Sequence, residues 1–377
     1  MTNQHTAGIY LHIPFCIQKC LYCDFCSTPS ANTATMEQYT ARLAAELRHT
    51  APTASAQAFD TVYFGGGTPT TLPPSALTHL LQTVRSCYTL TPDAEITLEC
   101  NPATADAADF SSLRAAGFNR LSIGAQSFDD RELTSLGRAH HAAAIEETVA
   151  AAREAGFENI SLDLMYGIPH QTKESFAASL ERAIALDVTH LSVYSLIVEE
   201  DTPFFACRDT LPLPDEDTLC EMTELLLHTL PPAGYHRYEI SNFARDSYRS
   251  RHNLHYWNLD DYLGFGPAAH SLWRGVRTGH SRDLAAYLVG RDITEPEETL
   301  TERAAMDEYV MLRLRLADSM EKATFTAHFG TDFDTLYGDR AAPFVAAGLL
   351  TNSAERMSFT PRGFDLSNTV LAALIGE

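Results

Sequence analysis

The stretch Thr61-Val62-Tyr63-Phe64-Gly65-Gly66-Gly67-Thr68-Pro69-Thr70 decides the fold. A short β-branched and aromatic run stops at three glycines, the mark of a strand that ends in a turn where backbone must come close to something. A helical pattern at 75–87 follows it. Outward from this unit the same alternation recurs between residue 8 and about residue 230. Strand patterns lie at 8–13, 61–64, 95–99, 120–124, 159–165 and 190–194, and helical patterns near 36–49, 75–87, 105–116, 142–155, 173–186 and 215–229. Strands that alternate with helices of this length predict an α/β fold of parallel strands joined by crossover helices. Gly65-Gly66-Gly67, Glu99, Gln126 and Asp163 fall at or just beyond the carboxyl ends of four different strands. Barrels and open parallel sheets build their sites there.

The chain has 377 residues, 49 acidic and 27 basic, for a formal charge of −22. That length predicts about two domains at ~150 residues each. The charge argues against nucleic acid or an anionic membrane as the main partner, because both are bound through Lys and Arg clusters. The three lysines are Lys19, Lys173 and Lys322. No apolar run approaches the length of a membrane span, and residues 1–6 lack the basic and apolar regions of a signal peptide. A soluble, cytoplasmic protein with no integral membrane segment is expected.

Eight cysteines are unusual in a reducing compartment, where clustered thiols more often hold metal than form disulfides. Cys16, Cys20, Cys23 and Cys26 fall within eleven residues. Cys87, Cys100, Cys207 and Cys220 are scattered and are expected to be small buried hydrophobes. The spacing Cys16-x3-Cys20-x2-Cys23 is too short for a zinc ribbon and has the density of an iron–sulfur loop, with zinc as the alternative metal. Three thiolates on a four-iron cluster leave one iron open to another ligand. Cys26 as a fourth ligand would close that position, so it is expected to be a neighbour of the cluster.

The cysteine spacing after the first strand resembles the signature of the radical S-adenosylmethionine (SAM) superfamily. The resemblance is closer still to the oxygen-independent coproporphyrinogen III oxidases and the related HemW haem chaperone branch, and it covers nearly the whole chain. It is carried by Tyr10-Leu-His12-Ile-Pro14-Phe15-Cys16, Tyr22-Cys23-Asp24-Phe25, the 65–70 glycine turn and Glu99-Cys-Asn101-Pro102. It continues through Leu121-Ser122-Ile-Gly124-Ala-Gln126-Ser-Phe128, Gly137-Arg138-Ala-His140, Asp163-Leu-Met165-Tyr166-Gly167-Ile-Pro169 and Gln171-Thr172.

This resemblance implies a partial (βα)6 TIM-type barrel with a [4Fe-4S] cluster on Cys16, Cys20 and Cys23 and SAM on its open iron. It implies that Gly66, Gly67 and Thr68 let backbone reach the methionyl amine and carboxylate. Glu99 would accept from the amine and Arg138 would fork the carboxylate. Asp163 and Gln126 would meet the ribose hydroxyls and the methionyl group. Tyr10, Tyr22, Met165 and Ile197 would contact the adenine end.

Residues 1–230 are thus expected to form the barrel and 231–299 an aromatic, His-rich connecting segment. Its 235–290 part is expected to be an ordered loop at the barrel mouth. Residues 300–377 are expected to form a small helical domain with winged-helix order, with helices near 302–317, 333–346 and 363–375 and a hairpin at 349–352 and 357–360. Its 11 acidic against 7 basic residues predict a cap on the barrel and not a DNA reader.

Within the connecting segment, His252-Asn253-Leu-His-Tyr256-Trp257 matches the H-N-x-x-Y-W pattern of the HemW branch. A neutral imidazole can ligate haem iron, so His252 is the first candidate ligand and His255 the second. The cysteine motif at residue 16 and the absence of a C-x3-C-x2-C-x-C spacing also favour a haem chaperone over an oxidase that decarboxylates propionates. The expected partners are haem, a haem-acceptor protein and an electron donor for the cluster, with a homodimer possible.

Overall fold

The computed structural model describes residues 6–29, 31–296 and 300–376. The six strands form at Ala7–Ile13 (β1), Ala58–Gly66 (β2), Thr89–Cys100 (β3), Arg120–Gln126 (β4), Asn159–Tyr166 (β5) and His190–Ser195 (β6). They pair side by side in that order, all parallel. Helices Thr33–Thr50, Pro74–Cys87, Ala107–Ala116, Ala142–Glu154, Lys173–Ala185 and Glu216–Thr229 follow the strands in turn. Local chemistry sets their ends. Asp106 and Asp109 close a capping box on one helix, which Gly117 ends in the left-handed region at φ 108°.

Side chains alternate along every strand. Ile9, Leu11, Val62, Phe64, Leu121, Ile123, Leu162 and Leu164 face the helices and belong to one core. The residues between them, including Tyr10, His12, Thr61, Tyr63, Glu99, Ser122, Ser161 and Asp163, face the lumen, which is therefore polar along much of its length.

The segment expected as a loop at the barrel mouth is different in both form and place. It supplies the edges of an 11-stranded sheet. Tyr262–Phe265 pairs parallel with β1, and the hairpin His270–Trp273 and Val276–Gly279 continues that edge. Asn242–Ala244 pairs antiparallel with β6, and His236–Arg237 follows it. Strands of two to four residues are too short to show a period in sequence. Between the edges, helix Arg251–Asn258, capped by Ser250, enters the lumen at the amino-terminal ends of the strands. The backbone N–H groups of Arg251 and His252 donate to the Glu95 carboxylate at 3.3 and 3.2 Å. His255 Nε2 and Arg251 Nη2 meet the two oxygens of Asp60 at 2.8 Å each. The helix thus plugs the end of the barrel opposite the glycine turn.

A second core forms in the C-terminal part around Val310, Phe325, Phe333, Tyr337, Met357 and Leu371. It contains helices Glu302–Leu314, Lys322–Phe329, Phe333–Ala346, Pro361–Asp365 and Ser367–Ile375. Its three-stranded antiparallel sheet has Arg356–Phe359 between Met320–Glu321 and Leu350–Asn352. The hairpin is as expected, whereas helix Lys322–Phe329 and the third strand were not read from the sequence. This part rests on the plug side: Arg313 donates to Asn258, Arg249 pairs with Asp318, and Arg277 meets Glu308 at 2.8 Å. Among the described residues no helix is long and apolar enough to cross a membrane.

One expectation about the cysteines is corrected. Of the four scattered ones only Cys100 is buried, while Cys87 is half-buried and Cys207 and Cys220 are exposed. Cys207 follows the short helix Pro203–Ala206, and Cys220 lies on the outer side of Glu216–Thr229.

Candidate functional site

The carboxyl ends of the strands enclose one cavity, into which Cys16, Cys20 and Cys23 bring their thiols. The loop that carries them is pinned at its start. Gly67 N–H donates to Ile13 O at 2.8 Å and Thr68 N–H to Phe15 O at 2.6 Å. Glycine is required in this turn for two reasons. Gly66 has φ 109°, and a Cβ there would lie 2.5 Å from the His12 ring. A Cβ on Gly67 would meet the carbonyl oxygen of Phe15 at 2.7 Å.

A hydrogen-bond line runs from Arg138 across the site to the cysteines. Arg138 Nη2 donates to Asn101 Oδ1 at 2.6 Å and to Gly124 O at 2.7 Å. Asn101 Nδ2 donates to Thr68 Oγ1 at 2.6 Å, and Thr68 Oγ1 donates to Cys16 Sγ at 3.6 Å. Arg138 Nη1 also donates to Cys20 Sγ at 3.3 Å, while its buried Nε has no partner among the described residues.

Facing this cation are two carboxylates in the lumen. Glu99 accepts from the Tyr63 hydroxyl at 2.7 Å and from Gly66 N–H at 3.0 Å. Burial lifts its pKa to about 7, against those two hydrogen bonds, which lower it. Asp163 accepts from Ser122 Oγ at 3.1 Å, and burial raises it to about 6. Gln126, at φ 65°, accepts from the Tyr194 hydroxyl at 3.0 Å. Burial also lifts the Cys23 thiol to about 11. Among the described residues no three His, Cys, Asp or Glu side chains are gathered closely enough to enclose an ion.

The expected site residues divide by position. Cys16, Cys20, Cys23, Tyr22, Gly66, Gly67, Thr68, Glu99, Gln126, Arg138 and Asp163 all border this cavity. Met165 packs beside it against Leu136, Ile168 and Phe204. Ile197 stands past the end of β6, 66% exposed. Tyr10 lies deeper in the lumen, beside the stacked pair Tyr63 and His252. Cys26 turns its thiol toward the Arg282 carbonyl at 3.7 Å, while its own carbonyl meets His12 Nε2 at 2.8 Å.

His252 lies in the plug, 1% exposed. Its Nδ1 is 2.8 Å from Thr61 Oγ1 and its Nε2 2.7 Å from the Tyr256 hydroxyl. Burial and the neighbouring His255 hold its pKa well below the usual imidazole value, so the ring is neutral. Coordination of a haem iron by His252 requires one of those bonds to open and the ring to leave the lumen. His255 is held between Asp60 and Asp260, which raise it to about 9 against the effect of burial.

Asn101, Ser122, Gly124 and Tyr194 also border the cavity; the first three stand in the quoted motifs without a role of their own, and Tyr194 ends the strand pattern at 190–194. The signal was available. Asn101 follows Glu99 by two, as Gly124 follows Ser122, and this period of two assigns them to the lumen face.

The donor set fits an iron–sulfur cluster and an amino-acid headgroup. Three thiols surround one opening, a guanidinium has an unpartnered Nε, and two buried carboxylates stand beside a glycine turn. A sequence model of the Radical SAM superfamily matches residues 10–183, and one of the HemN C-terminal domain matches residues 300–366. The chain is 36% identical to a heme chaperone HemW from Bacillus subtilis, over 98% of this chain and 99% of that one. It is 35% identical to a heme chaperone HemW from Escherichia coli, over 98% of each. Its fold is similar to that of the E. coli coproporphyrinogen III oxidase HemN, a radical SAM enzyme, with a TM-score of 0.87 at 24% identity over 99% of this chain and 91% of that one. The chain belongs to the HemW family of the radical SAM superfamily.

Proposed function

We propose that this protein is a haem chaperone that binds haem and passes it to an acceptor protein in the cytoplasm, on a scaffold that holds a [4Fe-4S] cluster and SAM. The observation that carries this reading is identity of 35–36% with two HemW chaperones over essentially the full length of both. Cys16, Cys20 and Cys23 would hold the cluster. A cluster with one iron free of protein ligands supplies SAM binding and one-electron reduction, for which an electron donor is needed.

The chain's own residues then have distinct tasks. Glu99 offers its carboxylate to a cationic amine, and a positive charge beside it favours the ionised form that burial opposes. Arg138 holds the carboxylate end through a guanidinium already aimed by Asn101 and Gly124. The Gly66–Gly67 turn leaves backbone open to the headgroup, and Gln126 and Asp163 take hydroxyls. The plug helix keeps water from entering the lumen from below.

The test is anaerobic reconstitution followed by two assays on one sample. Haem titration is expected to give a saturable Soret band, and incubation with SAM, a reductant and coproporphyrinogen III is expected to leave the porphyrinogen unchanged. Formation of protoporphyrinogen would overturn the proposal in favour of an oxidase. His252→Ala tests the haem ligand: an unchanged Soret band and affinity exclude it.

A further inference from the structure

We infer that His252 is a positioning residue for the SAM site, the base of an aromatic stack that orients both Glu99 and the end of the cysteine loop. The inference rests on the reading that the cavity takes SAM.

The His252 ring lies under Tyr63, with centroids 5.0 Å apart and planes inclined by 23°, and beside Tyr10 at 6.3 Å and 24°. Tyr10 and Tyr63 are themselves stacked at 6.1 Å. Two hydrogen-bonded lines rise from this layer. One is the Tyr63 hydroxyl to Glu99 Oε1 at 2.7 Å. The other is the Tyr10 hydroxyl to His12 Nδ1 at 3.1 Å, and His12 Nε2 to Cys26 O at 2.8 Å. A carbonyl only accepts, so His12 carries its proton on Nε2 and takes the Tyr10 hydroxyl on Nδ1. The Thr61 and Tyr256 hydroxyls fix the base ring through both nitrogens.

Two glycines show that the lumen is shaped around these imidazoles. A Cβ on Gly8 would lie 3.2 Å from His252 Cε1 and Nδ1, and one on Gly66 would lie 2.5 Å from His12. The two hydrogen-bonded nitrogens and the glycine opposite leave the ring one orientation under Tyr63. Through this stack the plug helix is continuous with the headgroup site.

The experiment compares His252→Ala, His252→Phe and Tyr63→Phe in the reconstituted full-length protein. SAM affinity is measured by calorimetry, and the electron paramagnetic resonance signal of the reduced cluster is recorded with and without SAM. His252→Phe keeps the stacked ring and loses only its hydrogen bonds, so it is expected to bind SAM within threefold of wild type and to keep the SAM-induced spectral change. His252→Ala is expected to weaken SAM tenfold or more and to blunt that change. Tyr63→Phe keeps the stack but frees Glu99 Oε1, and is expected to weaken SAM by at least threefold.

A folded His252→Ala protein that binds SAM like wild type overturns the inference, as does a His252→Phe protein as impaired as His252→Ala. If His252→Ala does not fold, a Tyr63→Phe protein with wild-type affinity overturns it. Failure of wild type itself to bind SAM overturns the reading of the cavity and this inference with it, while haem titration of that sample judges the chaperone reading separately.

Discussion

Glu99 is a carboxyl kept where its charge is disfavoured, and the consequence for stability has a definite sign. Its folded pKa is about 7 against an ordinary 4.5, so between those values the folded chain binds more protons than the unfolded one. Unfolding free energy then falls as pH rises through that window, and the loss is complete above it. Glu99→Gln removes this contribution. In the cofactor-free protein the variant is expected to gain roughly 1 to 3 kcal/mol relative to wild type between pH 4.5 and pH 8, at 1.36 kcal/mol per pKa unit and less for relaxation. Urea midpoints at the two pH values measure it, and an equal difference at both would refute it. Arg138 is a second residue whose geometry outweighs its charge. Arg138→Lys keeps a cation but cannot span Asn101, Gly124 and Cys20 together. SAM affinity measured by calorimetry is expected to drop about tenfold, or ~1.4 kcal/mol. A change under twofold would mean that the fork is idle.

The glycine turn after β2 ties two elements together, because its neighbours are backbone atoms of the cysteine loop and not movable side chains. A Cβ on Gly67 would sit 2.7 Å from Phe15 O and 2.9 Å from Ile13 O and Phe15 N. Gly67→Ala is expected to push the loop outward, at a cost of about 1–3 kcal/mol, and to halve or worse the iron and sulfide retained after reconstitution. Gly156→Ala is the control, since its Cβ would meet nothing within 4 Å and strains only its own φ of 89°. Its metal content should match wild type, and equal losses in both variants would sink the argument. The elements legible in the sequence were those long enough to repeat a pattern. The barrel strands run from six to twelve residues, and the helices carry caps such as Asp106. The edge strands 236–237, 242–244 and 262–265 could not be read, because pairing makes them strands and no local preference does: 262–265 on β1, 242–244 on β6 and 236–237 on 242–244. The plug helix, at eight residues, hid for the same reason, as its stability comes from Glu95 and Asp60 in the barrel wall.

At the scale of the molecule, the site was legible where it lies on strand ends and illegible where it depends on what fills the lumen. Cys16, Glu99, Arg138 and Asp163 stand in motifs. The placement of His252 beneath Tyr63 is set by a helix some 190 residues further along, and no spacing announces it. The same long-range logic governs the C-terminal part. It has its own core and meets the rest through polar contacts such as Arg277 with Glu308 and Arg249 with Asp318, with Ile240 and Leu259 as apolar contacts against that core. An interface of this kind couples two cooperative units only loosely. Phe325 lies in the middle of the smaller core, fully buried, with its ring 4.9 Å from Phe329, 5.5 Å from Phe333 and 5.9 Å from Tyr309. Phe325→Ala is expected to destabilise that unit by about 3–5 kcal/mol. Trp273 reports on the barrel, since it stacks on Phe59 at 5.9 Å in the larger core. In Phe325→Ala carrying Trp257→Phe, which removes the tryptophan of the plug helix, the far-ultraviolet dichroism should therefore fall in two steps with denaturant, with Trp273 fluorescence following the later one. Coincident curves at a lowered midpoint would show instead that barrel, plug and C-terminal part unfold as one unit.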